Sequence, residues 1–307
     1  MSEAAASERP LCAEASTAAG EALGATASRV EHWLLVEYGG YWPNDPLDAT
    51  VFAGGLREHL GAQLAALPHS RLLLIKRPGR SRRDRIRIVY GATPERGRRF
   101  FTLELERHPD LLELDVAAAL TGRRAPAGEP LAHPLLLVCT HGKRDRCCAR
   151  YGQPLCEGLH AHANGDWVWQ SSHVGGDRFA GNLVCLPEGL YFGRVKRDEV
   201  RAVLEPYLHG RIQLARYRGR SCYPFAVQAA ELSVRRATNL TGFDDLRLLG
   251  RRRDGPQAWT VRFVAEVSGA VHEVEVGVEH REETFLTCRA EVPKSARHYV
   301  ARSHVVS

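Results

Sequence analysis

Short apolar runs and longer amphipathic stretches alternate along the first two thirds of the chain. A bounded apolar run predicts a buried strand, and apolar positions three to four residues apart predict a helix. In the first part, this pattern predicts strands at 33–38, 71–76, 85–90 and 99–106 and helices at 50–67 and 109–120. From residue 135 it predicts strands at 135–138, 167–171, 183–186 and 190–194 and helices at 148–162 and 198–208. Both parts therefore share the order β-α-β-β-β-α.

The repeated order predicts an α/β fold made of two tandem thioredoxin-like units. A segment rich in Gly, Ala and Arg at 121–128 has the composition of a linker between them. The predicted domains are a flexible leader at 1–28, an N-terminal unit at 29–122, a second unit at 129–215 and a small α+β C-terminal region at 216–307. A single larger mixed-sheet domain is the alternative.

The C-terminal region is predicted to contain a helix at 226–236 and antiparallel strands at 258–267, 270–279 and 283–291. Exposed strand edges can pair with another chain. We therefore expect a structural or partner-binding role for this region, with homodimerisation as one form of it.

Candidate ligands for a metal are concentrated in the second unit. Cys139 lies at the end of a predicted strand, Cys148 near the start of the next helix, and His173 in a later loop, four positions before Asp177. A helix N-terminus and neighbouring basic residues lower the pKa of a thiol, and the thiolate is the form that binds metal. The pattern predicts a site for a soft metal centre.

Two segments carry a resemblance to a known family. Residues 139–148 (CTHGKRDRCC) and 172–182 (SHVGGDRFAGN) resemble motifs of the sucrase/ferredoxin-like family, and 186–194 (LPEGLYFGR) is similar to a later part of its pattern. That family groups thioredoxin-like [2Fe–2S] proteins. The resemblance implies an electron-transfer protein, rather than an enzyme that turns over a substrate, with a cluster held by two cysteines and two histidines four positions apart.

The implied ligands can be assigned position by position. Cys139, Cys148 and His173 match the family pattern, whereas Asp177 stands where the family has its second histidine. The resemblance implies that the two cysteines bind one iron, and that His173 and Asp177 bind the other, more solvent-exposed iron. A carboxylate ligand would make the site one unit more negative and should lower its reduction potential.

The fourth position leaves alternatives open. Cys147 or Cys185 could replace Asp177, although Cys147 adjoins Cys148 and should point the other way. Alternatively, the cluster is lost and the fold remains. Zinc is the main competing ion, because two cysteines, a histidine and an aspartate satisfy a tetrahedral ion. A zinc-bound or cluster-free protein would be a non-redox binding or scaffold protein.

Neighbouring residues are assigned supporting roles. Gly175 and Gly176 would allow the backbone to approach a cofactor closely. His141 is interpreted as a loop residue or a hydrogen-bond donor behind the ligands, and Arg178 could neutralise a cluster. Asp145, between two arginines, is interpreted as a local salt-bridge partner.

The remaining cysteines are interpreted as small buried side chains, since cysteine is often buried without any reactive role. This applies to Cys156, Cys185, Cys222 and Cys288. Cys12 lies in the predicted leader and is given no role.

Composition narrows the class of protein. Of 307 residues, 44% are hydrophobic and 25% charged, and no apolar stretch is long enough to span a membrane. The leader has four glutamates and resembles neither a signal nor a transit peptide, which favours a cytoplasmic protein. A net charge of +6 suits an acidic electron-transfer partner. Basic runs at 76–83, 216–220 and 251–253 match no recognised module, which argues against nucleic-acid binding.

Overall fold

Two β-sheets organise the protein in a computed structural model, which describes residues 9–79 and 85–307. Ten strands form one mixed sheet in the order β10-β9-β8-β6-β7-β2-β1-β3-β4-β5, and four form an antiparallel sheet in the order β11-β12-β13-β14. The strands of the large sheet are β1 His32–Glu37, β2 Ser70–Lys76, β3 Ile86–Ala92, β4 Arg99–Leu105, β5 Glu129–Pro130, β6 Leu135–Cys139, β7 Val168–Ser171, β8 Leu183–Leu186, β9 Leu190–Phe192 and β10 Tyr217–Arg220.

The small sheet and the helices complete the element order. The small sheet contains β11 Leu246–Gly255, β12 Ala258–Ala265, β13 Val271–His280 and β14 Arg297–Val306. The α-helices are α1 Cys12–Ala18, α2 Leu56–Ala65, α3 Val116–Leu120, α4 Arg146–His162, α5 Val200–Leu208 and α6 Phe225–Thr238. The predicted mixed α/β architecture is confirmed. No helix within these described residues is long and apolar enough to cross a membrane.

The large sheet consists of two halves with the same strand pairing. In the first half (β1 to β4, with α2 and α3), β1 pairs in parallel with β2 and antiparallel with β3, which pairs antiparallel with β4. In the second half (β6 to β9, with α4 and α5), β6 pairs in parallel with β7 and antiparallel with β8, which pairs antiparallel with β9. Each parallel pair is joined by a helical crossover, as parallel strands require.

The two halves share one sheet because β2 pairs antiparallel with β7, through Ile75 with Ser171 and Lys76 with Gln170. Side chains alternate along the strands, so each strand contributes to two cores. On one face each half has its own cluster under its helices. On the other face one cluster continues across the joint, from Trp33 in β1 to Leu137 in β6.

The C-terminal region differs in part from the prediction. Helix α6 packs on the small sheet through residues such as Val227, Ala230 and Phe263. The predicted strand at 283–291 is wrong, because within that range only Thr284 pairs with another strand position, in an isolated bridge to Lys294. Strands β11 and β14 take its place in the sheet. Their side chains are mostly exposed, so neither has the apolar alternation that marks a strand in the sequence.

Residues 9–28 of the predicted leader pack against the rest of the protein. Helix α1 begins at Cys12, whose side chain is buried together with that of Ala13. The Arg178 guanidinium donates hydrogen bonds of 2.8 and 2.9 Å to the Glu21 carboxylate and so fixes this segment against the second half. Residues 1–8, and residues 80–83 of the first basic run, lie outside the described residues.

Candidate metal centre

The candidate ligands meet because two neighbouring parallel strands end at the same edge of the sheet. Cys139, the last residue of β6, is in register with Ser171, the last residue of β7. The chain after β6 turns directly into α4, where the Asp145 carboxylate caps the helix by accepting a hydrogen bond of 2.9 Å from the Cys147 N–H. This cap places Cys148 in the first helical turn, facing the loop that follows β7.

Three of the four predicted ligands form one group of possible metal ligands, and the fourth, Asp177, lies beside two of them but outside that group. One donor atom each from Cys139, Cys148 and His173 lies within 4.8 Å of the other two. Cys148 Sγ is 3.9 Å from His173 Nδ1 and 3.3 Å from Asp177 Oδ1, and His173 Nδ1 is 3.0 Å from Asp177 Oδ1. Both thiols are fully buried, whereas the His173 side chain is 21% exposed. The site therefore opens to solvent on the histidine side.

The thiols, imidazole and carboxylate are coupled electrostatically. A hydrogen bond from Cys148 holds the pKa of the Cys139 thiol well below its ordinary value, and the same bond raises the pKa of Cys148. Burial lowers the pKa of His173, but hydrogen bonds with Asp177 and Cys139 outweigh it and raise that pKa to about 9. Burial raises the pKa of Asp177, yet the His173 ring holds it below the ordinary range.

The turn that presents His173 and Asp177 depends on two glycines. Gly175 and Gly176 have φ values of 97° and 81°, which favour glycine. A Cβ at Gly176 would collide with the buried Arg218 guanidinium. That guanidinium donates hydrogen bonds to the Gly175 carbonyl (3.0 Å) and to Asn182 Oδ1 (2.7 Å). These bonds hold the turn in place.

Arg218 was missed in the sequence, where it lies in the basic run at 216–220 and has the signature of a surface residue. In the structure its side chain is almost fully buried. Burial lowers its pKa to about 10, and its attraction to Tyr191, Asp177 and Cys139 opposes this fall. The arginine thus provides a positive charge on the buried side of the site.

The supporting residues occupy different places. The His141 Nε2–H donates a hydrogen bond of 2.9 Å to the Trp42 carbonyl, and the two rings meet edge to face. Cys185 lies in the hydrophobic cluster under α4, where burial raises the pKa of its thiol. Arg178 forms an ion pair with Glu21. None of the three joins the ligand group found among residues 9–79 and 85–307.

Cys147 points away from Cys148, as expected for adjacent helical positions. Its thiol lies with Cys12, Cys288 and the Asp145 carboxylate in a second group that could hold a metal ion. Neither Cys12 nor Cys288 was predicted to bind metal, because Cys12 lies in the predicted leader and Cys288 was interpreted as a small buried side chain. Asp145 caps α4 and belongs to this group, in contrast to its interpretation as a local salt-bridge partner.

Comparison with known proteins finds relatives that are similar to only part of this chain. Three yeast proteins named Altered inheritance of mitochondria protein 32 are similar to part of the chain. The protein of Meyerozyma guilliermondii is 31% identical over 104 residues, which cover 30% of this chain and 36% of that protein. The protein of Clavispora lusitaniae is 33% identical over 100 residues, which cover 30% and 37%. The protein of Eremothecium gossypii is 29% identical over 106 residues, which cover 30% and 34%.

The alignments thus span about a third of the length of these relatives. No solved structure matches the chain significantly. Residues 23–219, which include both halves of the large sheet and the candidate metal centre, match the sucrase/ferredoxin-like family. Because this match covers more than half of the sequence, the chain belongs to the sucrase/ferredoxin-like family.

Proposed function

We propose that this chain is an electron-transfer protein that binds a [2Fe–2S] cluster through Cys139, Cys148, His173 and Asp177. The observation that supports the proposal is the convergence of two buried thiols and a His–Asp pair at one edge of the sheet. Membership of a ferredoxin-like family agrees with it.

The donor set suits such a cluster chemically. Cysteine thiolates are the usual ligands of iron–sulfur clusters, and histidines replace two of them in some centres. When bound, the cluster would supply one-electron oxidation and reduction. Here Cys139 and Cys148 exclude water from the buried side, and Asp177 orients the His173 ring through a contact of 3.0 Å. His173 is the most exposed of the four and would face a redox partner.

The charge of the surroundings explains how an aspartate can occupy a histidine position. Asp177 adds one negative charge relative to a neutral histidine. The buried Arg218 attracts both Asp177 and Cys139 and offsets that charge. We infer that the positive charge of Arg218 limits the net negative charge of the site, so that the cluster can still be reduced.

The architecture is proposed to be a tandem of thioredoxin-like units. The two halves share the same element order, strand order and pairing directions. Residues 29–122 contain no cysteine, so of the two units only the second would hold the cluster. The net charge of +6 favours an acidic partner protein, and the cytoplasm remains the proposed location.

Zinc at the same residues is the second candidate, and the short donor separations favour it. Zinc–ligand bonds of about 2.0–2.3 Å in a tetrahedron place the donors about 3.3–3.8 Å apart. The separations of 3.0, 3.3 and 3.9 Å among Cys148, His173 and Asp177 are close to this range. With zinc, the protein would be a non-redox binding or scaffold protein.

Anaerobic purification after expression with iron tests the proposal. We expect a reddish-brown protein with iron and acid-labile sulfide in equal amounts and visible absorption that dithionite bleaches. Cys148→Ser should lose the colour, whereas Cys222→Ser, on a cysteine outside both ligand groups, should keep it. A colourless protein without sulfide, whose zinc content falls in Cys148→Ser, would support the second candidate and contradict the first.

A further inference from the structure

The second ligand group, which we name the Cys₃Asp cluster, comprises Cys12, Cys147, Cys288 and Asp145. The three sulfur atoms form a nearly equilateral triangle. Cys147 Sγ is 3.6 Å from Cys12 Sγ and 3.4 Å from Cys288 Sγ, and Cys288 Sγ is 3.6 Å from Cys12 Sγ. Both carboxylate oxygens of Asp145 lie 3.8 Å from Cys12 Sγ.

These separations match one tetrahedral ion. With zinc–sulfur bonds of about 2.3 Å, the sulfur atoms of a tetrahedral site lie about 3.8 Å apart, and a carboxylate oxygen lies about 3.6 Å from each sulfur. A disulfide would join only two of three equivalent thiols and leave the third beside a buried carboxylate. A shared cation accounts for all four groups at once.

Backbone hydrogen bonds fix the carboxylate of Asp145 towards the thiols. One oxygen accepts a hydrogen bond of 2.9 Å from the Cys147 N–H, and the other accepts one of 2.7 Å from the Cys288 N–H. Hydrogen bonds of this kind orient the ligands of metal sites. Asp145 is 1% exposed, and a cation held between its carboxylate and the thiols would offset a buried negative charge.

The cluster joins three parts of the chain that are far apart in sequence. Cys12 begins α1, Cys147 lies in the first turn of α4, and Cys288 lies in the segment 281–296 between β13 and β14. The Arg9 guanidinium donates hydrogen bonds of 2.5 and 2.7 Å to the carbonyls of Cys288 and Ala290. These contacts hold the half-buried Cys288 over a site whose other members are fully buried.

We propose that Cys12, Cys147, Cys288 and Asp145 bind a structural Zn²⁺ ion. All four ligands come from the protein, as in structural rather than catalytic zinc sites. Binding releases the three thiol protons to solvent, and the resulting thiolates and the Asp145 carboxylate coordinate the ion. The ion would fasten the N-terminal helix and the segment 281–296 to the start of α4.

The zinc site shares no ligand with the candidate metal centre, so it does not depend on the proposed electron transfer. Paired variants separate the two sites. In protein expressed with iron and zinc, we expect equimolar zinc in the parent. Cys288→Ser should weaken zinc binding by more than about 100-fold, since losing even a hydrogen-bond partner of a ligand costs about 10- to 100-fold. It should leave the iron content and colour unchanged, whereas Cys148→Ser should leave this zinc in place.

Cobalt gives a readout that does not depend on iron. After the zinc is exchanged for Co²⁺, thiolate-to-cobalt charge transfer and intense visible bands should appear in the parent and in the Cys222→Ser control. They should be lost in Cys147→Ser. Equal zinc content in the parent, Cys147→Ser and Cys288→Ser would overturn the proposal. A disulfide between any two of the three cysteines in anaerobically purified protein that, once reduced, binds no zinc would also overturn it.

Discussion

Replacing Asp177 by asparagine removes one negative charge from the proposed cluster site and keeps the size of the side chain. The pKa of the Asp177 carboxyl lies below its ordinary value, so the whole charge is present at neutral pH. Its Oδ1 atom is 3.3 Å from Cys148 Sγ and 3.0 Å from His173 Nδ1. The added electron of the reduced state would therefore lie close to this charge.

The size of the effect follows from Coulomb's law. Two unit charges about 4 Å apart interact by about 4 kcal/mol at an effective dielectric constant of about 20. For a one-electron couple, about 59 mV corresponds to a tenfold change in the equilibrium constant, or about 1.4 kcal/mol. Asp177→Asn should therefore raise the midpoint potential by about 100–200 mV, because the reduced state no longer faces the carboxylate.

Redox titration of the iron-loaded protein, followed by visible absorption, measures this shift. Glu205→Gln removes the same charge from the exposed face of α5 and should shift the potential by less than about 20 mV, because solvent and salt screen it. A shift below about 30 mV in Asp177→Asn would show that the carboxylate charge is not sensed by the metal centre. A fall in potential would contradict the reasoning outright.

Two further predictions concern the framework of the protein. Gly176→Ala should lower the free energy of unfolding by at least about 2 kcal/mol and reduce metal content, because its φ is 81° and its Cβ would displace the Arg218 guanidinium. Chemical denaturation and metal analysis measure both effects. Glu231→Gln should cost about 3–5 kcal/mol in the same denaturation assay, because the Arg235 charge, 0% exposed, would lose its buried partner.

Matched variants serve as controls for these two changes. Gly210 also has a positive φ, of 72°, but its Cβ would meet no atom within 4 Å, so Gly210→Ala should cost about 1 kcal/mol and leave metal content unchanged. Glu205→Gln breaks the exposed pair with Arg201 and should cost less than about 1 kcal/mol. If either test variant behaves like its control, the corresponding explanation is wrong.

Local patterns in the sequence were sufficient to predict where the candidate ligands lie. Cys139 ends one apolar strand, and His173 follows another. The ends of neighbouring parallel strands lie at the same edge of a sheet, so a local pattern is enough to place these two residues near each other. The opposite directions of Cys147 and Cys148 follow from helix geometry alone. The structure groups Cys139, Cys148 and His173 and places Asp177 beside Cys148 and His173. The role of these four residues as ligands stays a prediction.

Long-range contacts and exposed elements could not be predicted in this way. Cys12 and Cys288 are 276 positions apart, and no local pattern links them. The buried Arg218 is indistinguishable in sequence from the surface arginines around it. Strand β11 contains Arg251 to Arg253 and exposes most of its side chains, so its pairing in the small sheet leaves no apolar alternation in the sequence.

The joint between the two halves of the large sheet has a consequence for the candidate centre. Ser172, directly before His173, donates its N–H to the Leu74 carbonyl (2.8 Å) and accepts the Leu74 N–H on its hydroxyl (3.0 Å). The half without cysteines therefore anchors the histidine-bearing loop and, through the Trp42 carbonyl, also contacts His141. A fragment restricted to the second half would keep Cys139, Cys148, His173 and Asp177. It would lose the hydrogen bonds from the first half that position the loop carrying His173, so the first half supports the geometry of the candidate centre although it contributes no ligand.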